Sequence, residues 1–338
     1  MNSWRISSIP HRNNKIIFLL LGFTLLAVAA LSLCLGAERI NIFTALGDLL
    51  RGEWSTSARI LRYVRLPRTC AGLLAGAALA AAGAIIQGVL SNSLAAPSTI
   101  GVNAGAGLAV AMFTAVAPHA LSAVPLAALA GAFSGTMLVL SIAEHTSASK
   151  ITLVLAGVAV SGIFSAGIDA IVTLFPDALA GYSDFRIGGL SGLSIKQLAL
   201  PSLLIAGSFV LSLSLHNELD VLMLGTEQAQ ALGLSAKKLR MVFLILTSVM
   251  AGSAISFCGL IGFVGLLVPH MMRQLVGEES GPLLISSALG GAVLLCGCDL
   301  LGCLLFAPYE LPVGIVMSLV GGPFFLLLLH RRGGHSHD

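Results

Sequence analysis

Long apolar runs separated by short polar connections dominate the chain from residue 16 onward. A helix needs about 20 residues to cross the hydrocarbon core of a bilayer, and most of these runs meet that length. The predicted spans cover residues 16–36, 69–90, 98–117, 121–143, 151–175, 198–215, 241–258, 260–272, 282–306 and 311–329. The eighth span is the shortest, because glycines and Pro269 interrupt it. This pattern predicts an all-α integral membrane protein with about ten transmembrane helices.

The composition indicates that lipid, not water, surrounds these helices. The 338 residues are 57% hydrophobic and 10% charged, whereas soluble domains carry roughly 25% charged residues. Glycine is abundant, with 38 copies. Small residues four apart let transmembrane helices pack closely, and the chain has such pairs at Gly72/Gly76, Gly101/Gly105 and Gly131/Gly135. The net charge of +3, without a basic run, argues against a nucleic-acid partner.

The first apolar run, 16–36, follows Arg5, Arg12 and Lys15, which is also the layout of a secretory signal peptide. A signal peptide has an apolar core of roughly 7–15 residues, and this run is longer. We therefore interpret it as the first transmembrane helix.

Basic residues predict the orientation, because cytoplasmic loops of membrane proteins are enriched in Lys and Arg. Arg331 and Arg332 follow the last span, and further cations lie in the connections that an even count places on the same side, namely Lys150, Lys237, Lys238, Arg240 and Arg273. Both termini are thus expected in the cytoplasm. The predicted organisation is an N-terminal tail (1–15), a transmembrane permease domain (16–330) and a C-terminal tail (331–338).

The connection between the first two spans departs from this rule. It carries six arginines against three acidic residues, and it faces outward in the predicted topology. Two readings stay open at this point. In the first, this loop is an exception to a statistical charge rule that the other loops follow. In the second, the arginines form a basic surface whose guanidinium groups bind the carboxylates of an acidic partner.

A second connection of interest is the longest cytoplasmic one, about 217–240. Its segment 224–234 has helical composition, is half polar and ends near a glycine. Such a segment between spans lies either on the membrane surface or in the groove of a partner protein.

The chain shows no motif for covalent or hydrolytic chemistry. It lacks a Gly-x-x-x-x-Gly-Lys loop for ATP phosphates and a His-Glu-x-x-His zinc motif, so it is not expected to be an enzyme. The six cysteines are expected to be small buried hydrophobes, and no metal site is predicted. Ionisable residues inside spans are functional candidates. Asp169 is assigned equally to the pathway or to a helix contact, and Asp299 to a structural role.

Several segments in order along the chain resemble the permease family that imports iron–siderophores, heme and cobalamin together with a binding protein and an ATPase. The resemblance rests on five motifs, which are Arg65-Leu66-Pro67-Arg68 with Gly83-Ala84-Ile85-Ile86-Gln87-Gly88, Asn92-Ser93-Leu94-Ala95-Ala96-Pro97, Leu224-Gly225 through Gly233, Gly262-Phe263-Val264-Gly265 through Pro269-His270 with Arg273, and Glu310-Leu311-Pro312-Val313-Gly314. It extends over nearly the whole chain from the first helix.

This resemblance implies a type II ABC importer permease, in which two ten-helix subunits surround a central pathway above two ATPase subunits. It implies that Arg65 and Arg68 receive glutamates of a soluble binding protein. It places the cytoplasmic gate at Asn92, Ser93 and Leu94, and the ATPase-coupling residues at Leu224, Gly225, Glu227, Ala231 and Gly233. Gln87, Asp169 and Arg186 are possible pathway residues.

Three positions depart from the family pattern. Ser93 stands where proline usually follows the gate asparagine, and Cys303 stands where a further docking arginine is common. Arg186 stands where the family favours an uncharged residue. The full three-arginine dock is therefore in question for this chain.

The sequence thus predicts the permease subunit of an ABC importer that carries an iron chelate, such as a ferric siderophore, across the bacterial cytoplasmic (inner) membrane by alternating access. Cobalamin and heme are alternative cargoes on the same scaffold. An ion-coupled secondary transporter is the rival class, but it would need paired buried carboxylates. The expected partners are two ATPase subunits that use ATP and Mg²⁺, an extracytoplasmic binding protein and a second permease copy, whereas this chain binds no cofactor itself.

Overall fold

The computed structural model describes residues 14–38, 40–146 and 150–333, and in these residues the chain is helical without strands. Short π and 3-10 turns connect some of the helices. The α-helices are α1 (Asn14–Cys34), α2 (Ile42–Arg51), α3 (Thr56–Ile60), α4 (Leu66–Leu90), α5 (Val102–Val116), α6 (Val124–Thr146), α7 (Lys150–Leu174), α8 (Ala178–Ile187), α9 (Ile195–Ser214), α10 (His216–Leu224), α11 (Thr226–Ala231), α12 (Ala236–Cys258), α13 (Val264–Val276), α14 (Ser280–Leu305) and α15 (Val313–Gly333).

The all-α membrane architecture is confirmed. Seven helices in the described part of the chain are long and apolar enough to cross a membrane, and two shorter apolar helices accompany them. Each of the ten predicted spans coincides with a helix of the structure, in the order α1, α4, α5, α6, α7, α9, α12, α13, α14 and α15. The eighth span, interrupted by Pro269, is the 13-residue α13.

The second span begins earlier than predicted. A π-helical turn, Leu61–Arg65, joins α3 to α4, so that one helical segment runs over Thr56–Leu90. The sequence prediction placed its start at Thr69, because the arginines upstream lower the local hydropathy. The structure accommodates two of them, Arg65 and Arg68, by burying their guanidinium groups among oxygen partners.

The centre of the bundle is α4, which packs against α14, α12 and α13. Glycines permit this closeness, since a Cβ on Gly76 would lie 2.2 Å from the carbonyl oxygen of Gly291. The other predicted glycine pairs also sit at helix contacts, because a Cβ on Gly105 of α5 would lie 2.3 Å from the carbonyl oxygen of Gly131 on α6. The predicted small-residue packing is confirmed at these positions.

Two short helices, α2 and α8, were not predicted from the sequence. Both have 10 residues, too few to cross a bilayer, so a search for spans misses them. The side chain of Asn41 caps α2 by accepting from the backbone N–H groups of Phe43 and Thr44. In α2, Phe43 and Leu50 remain 83% and 82% exposed, which is typical of a helix that lies at a membrane surface.

The two ends of α4 mark two faces of the molecule, which lie roughly 37 Å apart for a 25-residue helix. The Arg68 face holds Arg68, Asp299 and Glu310, which are bonded to one another. The Asn92 face holds the turn after α4, to which Lys150 at the start of α7 is joined through its 2.5 Å hydrogen bond to Ser91. Helices α10 and α11 lie on this second face, because α10 packs against the end of α4.

Candidate functional site

The Arg68 face is built around one buried guanidinium group. Arg68 Nε donates to Asp299 Oδ2 at 2.7 Å, and Nη2 donates to Asp299 Oδ1 at 3.0 Å. Its third nitrogen, Nη1, donates to Glu310 Oε2, which also accepts from Ser191 Oγ at 3.3 Å. The two hydrogen bonds between Arg68 and Asp299 give the bidentate geometry of a strong arginine–carboxylate pair. The cluster joins α4, α14 and the loops before α9 and α15.

Arg65, the other predicted docking arginine, is also turned inward. Its guanidinium donates to the carbonyl oxygens of Leu33 at 2.8 Å and Cys34 at 2.6 Å, and to that of Glu38. The carbonyls of Leu33 and Cys34 end α1, where the helix dipole is negative and the last C=O groups lack helical partners. Arg65 therefore closes the C-terminus of α1 and ties it to the start of the next span.

Both predicted docking arginines are buried, which limits how they can contact a binding protein. Arg65 is 6% exposed and Arg68 is 8% exposed, so neither presents a free guanidinium group to an approaching protein. Glu310 is the accessible member of the cluster, with 35% of its side chain exposed. The assignment of Arg65 and Arg68 to docking stays a prediction, and it now requires either local rearrangement or a contact through Glu310.

At the Asn92 face, the predicted gate residues form a tight turn. Ser91 has φ of +48°, and the backbone N–H of Asn92 donates to the carbonyl oxygen of Gln87 at 3.0 Å. The Asn92 side chain then accepts from the backbone N–H of Leu94 at 2.9 Å, which is an Asx turn. Leu94 is 37% exposed, so this apolar side chain is available to close a passage. The gate role itself stays a prediction.

Gln87, a possible pathway residue by sequence, is buried between helices in this protomer. It is 2% exposed, and its Nε2 lies 3.3 Å from the carbonyl oxygens of both Gly265 and Leu266. Its Oε1 accepts from Arg273 Nη1 at 3.0 Å. Gln87 thus joins α4 to α13 beside the close approach of Gly83 to Gly265. Its pathway role stays a prediction.

A stripe of polar side chains on α7 includes Asp169, a possible pathway residue by sequence. Ser161, Ser165, Asp169 and Thr173 follow one another at intervals of four residues, so they lie along one face of the helix. Three of them, Ser165, Asp169 and Thr173, are exposed. A carboxylate and hydroxyls on a membrane-spanning helix are costly against lipid, so this face is expected to meet water or a second subunit.

A cavity of about 460 Å³ adjoins this stripe and adds further polar groups. Ser161 and Ser165 line it together with Asn103 of α5 and Tyr182 of α8. Burial raises the pKa of the Tyr182 phenol, whereas the nearby Arg186 guanidinium lowers it and Asp169 raises it. Asp169 and Arg186, both proposed from sequence, therefore each lie near Tyr182. The sequence reasoning singled out Asp169 but missed the serines, although their four-residue spacing was readable.

The predicted coupling segment forms two short helices on the Asn92 face. Gly225, with φ of +125°, separates α10 from α11, and Gly233, with φ of +77°, ends the segment. Glu227 and Ala231 are exposed, while Ala229 is buried against the bundle. The flanking Leu224 and Leu232 are 65% and 63% exposed. Exposed leucines beside polar helices are typical of a surface that binds another protein.

The match to known proteins extends over the same elements. The model of the FecCD transport family matches residues 24–331, from α1 to α15. This chain belongs to the FecCD transport family. As a FecCD protein it is a membrane-spanning permease subunit of an ABC transporter, and thus a transport component, not an enzyme. In the described residues, no group of three His, Cys, Asp or Glu side chains is placed to hold a metal ion.

Individual FecCD relatives cover nearly the whole chain. The Fe(3+)-citrate import system permease protein YfmE of Bacillus subtilis is 38% identical over 314 residues, which are 92% of this chain and 93% of the relative. The hemin transport system permease protein HmuU of Yersinia pestis is 35% identical, with coverages of 93% and 96%. A metal-chelate type ABC transporter solved in an inward-facing conformation superposes with a TM-score of 0.83 and 26% identity, covering 94% of this chain and 99% of that chain.

Proposed function

We propose that this FecCD permease imports an iron chelate of the ferric siderophore or ferric citrate class, driven by ATP that separate subunits hydrolyse. The single observation that carries the proposal is the near full-length identity to a Fe(3+)-citrate import permease. The polar stripe of α7 supports it, because a hydrophilic chelate needs hydroxyl and carboxylate groups along its route through the membrane.

The proposed assembly contains two copies of the chain. The exposed polar face of α7 would be costly against lipid in a lone protomer, and a second protomer across a water-filled pathway removes that cost. Two ATPase subunits would bind at α10 and α11, where Leu224, Glu227 and Leu232 are exposed. A soluble binding protein would dock on the Arg68 face, opposite to the ATPases.

The proposed orientation places the Asn92 face, and with it both chain termini, in the cytoplasm of a bacterial inner membrane. Lys150, Lys237 and Lys238 lie at the starts of α7 and α12, on the Asn92 side, and cations are enriched in cytoplasmic loops. ATP binding in the partner subunits would shift α10 and α11. The bundle would then change between outward-open and inward-open states around the pathway, with Asn92, Ser93 and Leu94 closing its cytoplasmic end.

Heme is a second candidate cargo, because the hemin permease HmuU is nearly as similar as the ferric citrate permease. Cobalamin is a third candidate cargo on the same scaffold. To separate the cargoes, the chain would be co-purified with its ATPase and binding protein in lipid nanodiscs. The rate of ATP hydrolysis would be measured with ferric citrate, a ferric hydroxamate, hemin and cobalamin in turn. If only an iron chelate stimulates ATP hydrolysis, the proposal is supported. If only hemin or cobalamin stimulates it, the proposal is contradicted.

A further inference from the structure

A large apolar cavity lies apart from the polar stripe of α7. It has a volume of about 850 Å³ and is bounded by the end of α1, by α2, by the π-helical turn Leu61–Arg65 and by the start of α9. Its walls are apolar side chains, such as Leu33, Leu46 and Leu49. The volume falls within the range of about 300–1,000 Å³ that small-molecule sites occupy.

Two cations, Arg62 and Lys196, interrupt this apolar lining. Both side chains are exposed, and no carboxylate in the described ranges 14–38, 40–146 and 150–333 lies within ion-pair distance of either one. An apolar chamber with two cations at its boundary is complementary to a molecule that combines a long apolar body with a negative head.

The surroundings place the cavity at the surface of the bilayer. The guanidinium of Arg62 lies 5.3 Å from the ring centroid of Trp54, and the rings of Trp54 and Tyr63 are stacked at 6.0 Å. Tryptophan and tyrosine concentrate at the membrane–water interface, where phospholipid headgroups lie. The amphipathic α2, which presents Phe43 outward, has the character of a helix lying in that interface.

We infer that this cavity is a binding site for an anionic phospholipid, with an acyl chain between α1 and α2 and its phosphodiester near Arg62 and Lys196. The occupant is a lipid of the leaflet on the Arg68 face, because the cavity includes the start of the second span. Arg65, which closes α1, belongs to the same π-helical turn as Arg62. A bound lipid would therefore stabilise the junction of α1 with the turn that carries Arg65. The inference does not depend on the identity of the cargo.

The test measures lipid retention by native mass spectrometry. Purified protein would be incubated in mixed micelles with equal amounts of phosphatidylglycerol and phosphatidylcholine, and the lipids that stay bound would be counted. The wild type is expected to retain phosphatidylglycerol preferentially. The double variant Arg62→Gln/Lys196→Gln is expected to reduce that preference about 30-fold, since each cation near a lipid surface contributes about fivefold.

Two further variants make the result specific. Ala30→Phe, which places a ring in the cavity from α1, should reduce retention of both lipids. Lys237→Gln/Lys238→Gln removes the same charge at exposed positions on α12 and should leave the preference unchanged. If the double variant elutes as aggregate, Lys196→Gln alone, an exposed substitution at the start of α9, gives the answer. Equal retention of the two lipids by the wild type, an unchanged preference in the variants that lack Arg62 or Lys196, unreduced retention in Ala30→Phe, or a polypeptide in place of lipid would overturn the inference.

Discussion

Arg68 and Asp299 are 231 positions apart in the sequence, and their side chains form a two-point ion pair with N–O distances of 2.7 and 3.0 Å. The pair is nearly closed to solvent, with 9% and 4% of the side chains exposed. It joins α4, the most buried helix of the bundle, to α14. Because a buried charge without its partner is costly, each residue depends on the other.

Removing one member of this pair should destabilise the protein strongly. Arg68→Ala is expected to cost about 3–5 kcal/mol, because Asp299 then stays buried without a cation. Asp299→Asn should cost less, because Arg68 keeps its ion pair with Glu310. Removing both charges together, as in Arg68→Met/Asp299→Leu, should cost less than the sum of the single changes. The measurement is the temperature at which half of the detergent-solubilised protein stops eluting as a single species.

An exposed pair supplies the control for this experiment. Lys237 and Glu144 lie 2.9 Å apart with 59% and 41% of their side chains exposed. Lys237→Ala should therefore change stability by less than about 1 kcal/mol. Equal losses of stability from substitutions in the buried and the exposed pair would show that the Arg68 cluster contributes no more to stability than a surface ion pair.

Gly83 should tolerate no side chain. A Cβ at this position would lie 1.8 Å from the carbonyl oxygen of Gly265, so Gly83→Ala forces α4 and α13 apart. The separation would also disturb the hydrogen bonds of Gln87 to the carbonyl oxygens of Gly265 and Leu266. We expect a loss of at least about 1–3 kcal/mol, which is usual for overpacking, and a lower yield of folded protein in membranes.

Gly162 on α7 is the matched glycine. Its Cβ would meet nothing within 4 Å, so Gly162→Ala should fold as well as the wild type. Quantitative immunoblotting of membrane fractions compares the two variants. A Gly83→Ala protein that accumulates like Gly162→Ala would contradict the close helix approach described for α4 and α13.

Glu310 gives a way to examine docking without breaking the buried pair. Glu310→Gln removes one carboxylate from Arg68 and leaves both hydrogen bonds to Asp299 in place. If Arg68 receives a carboxylate of the binding protein, the variant should bind that protein up to about tenfold more tightly, because a competing charged hydrogen bond is weakened. Surface plasmon resonance on nanodiscs measures the Kd, and weaker binding would instead assign the contact to Glu310 itself.

The polar stripe of α7 predicts a selective transport defect. Ser165→Leu places an apolar side chain beside the cavity that Asn103 and Tyr182 also line. Cargo uptake by proteoliposomes should fall about tenfold, equivalent to about 1.4 kcal/mol in the rate-limiting barrier. Assembly with the ATPase should not change, because α10 and α11 are distant.

Ser202→Leu on α9 is the comparison, since it makes the same chemical change on a helix outside the cavity. The two variants should assemble equally well and differ in uptake. If Ser202→Leu impairs uptake as much as Ser165→Leu, the stripe does not line the route of the cargo.

Much of the fold was predictable from sequence because lipid imposes a simple rule on helices. Each of the ten apolar runs is a helix in the structure, and seven of these helices are long and apolar enough to cross a membrane. Glycine spacing also indicated contacts such as Gly105 on Gly131. The short helices α2 and α8 were not predicted, because they are too short to cross a bilayer and fall within the connections between spans. The predicted start of the second span was wrong, because arginines in a sequence are typical of loops. In the structure, oxygen acceptors bind Arg65 and Arg68, so that both lie within the helical segment.

The candidate site was less predictable, because its partners are distant in sequence. Nothing local indicated that Arg65 would bond the carbonyl oxygens of α1, or that Gln87 would bond those of α13. Periodicity can reveal which residues share a helix face, as for Ser161, Ser165 and Asp169. Which neighbour covers that face depends on the packing of the whole bundle.

The central claim is ATP-driven import of an iron chelate through this chain. The most direct test is uptake of iron-55 chelate into liposomes that contain the permease, its ATPase and its binding protein, with ATP enclosed on the ATPase side. The account predicts accumulation with ATP, none with a non-hydrolysable analogue or without the ATPase, and a strong reduction in Glu227→Arg, which alters an exposed side chain of α11. Accumulation that persists without ATP or without the ATPase would contradict it.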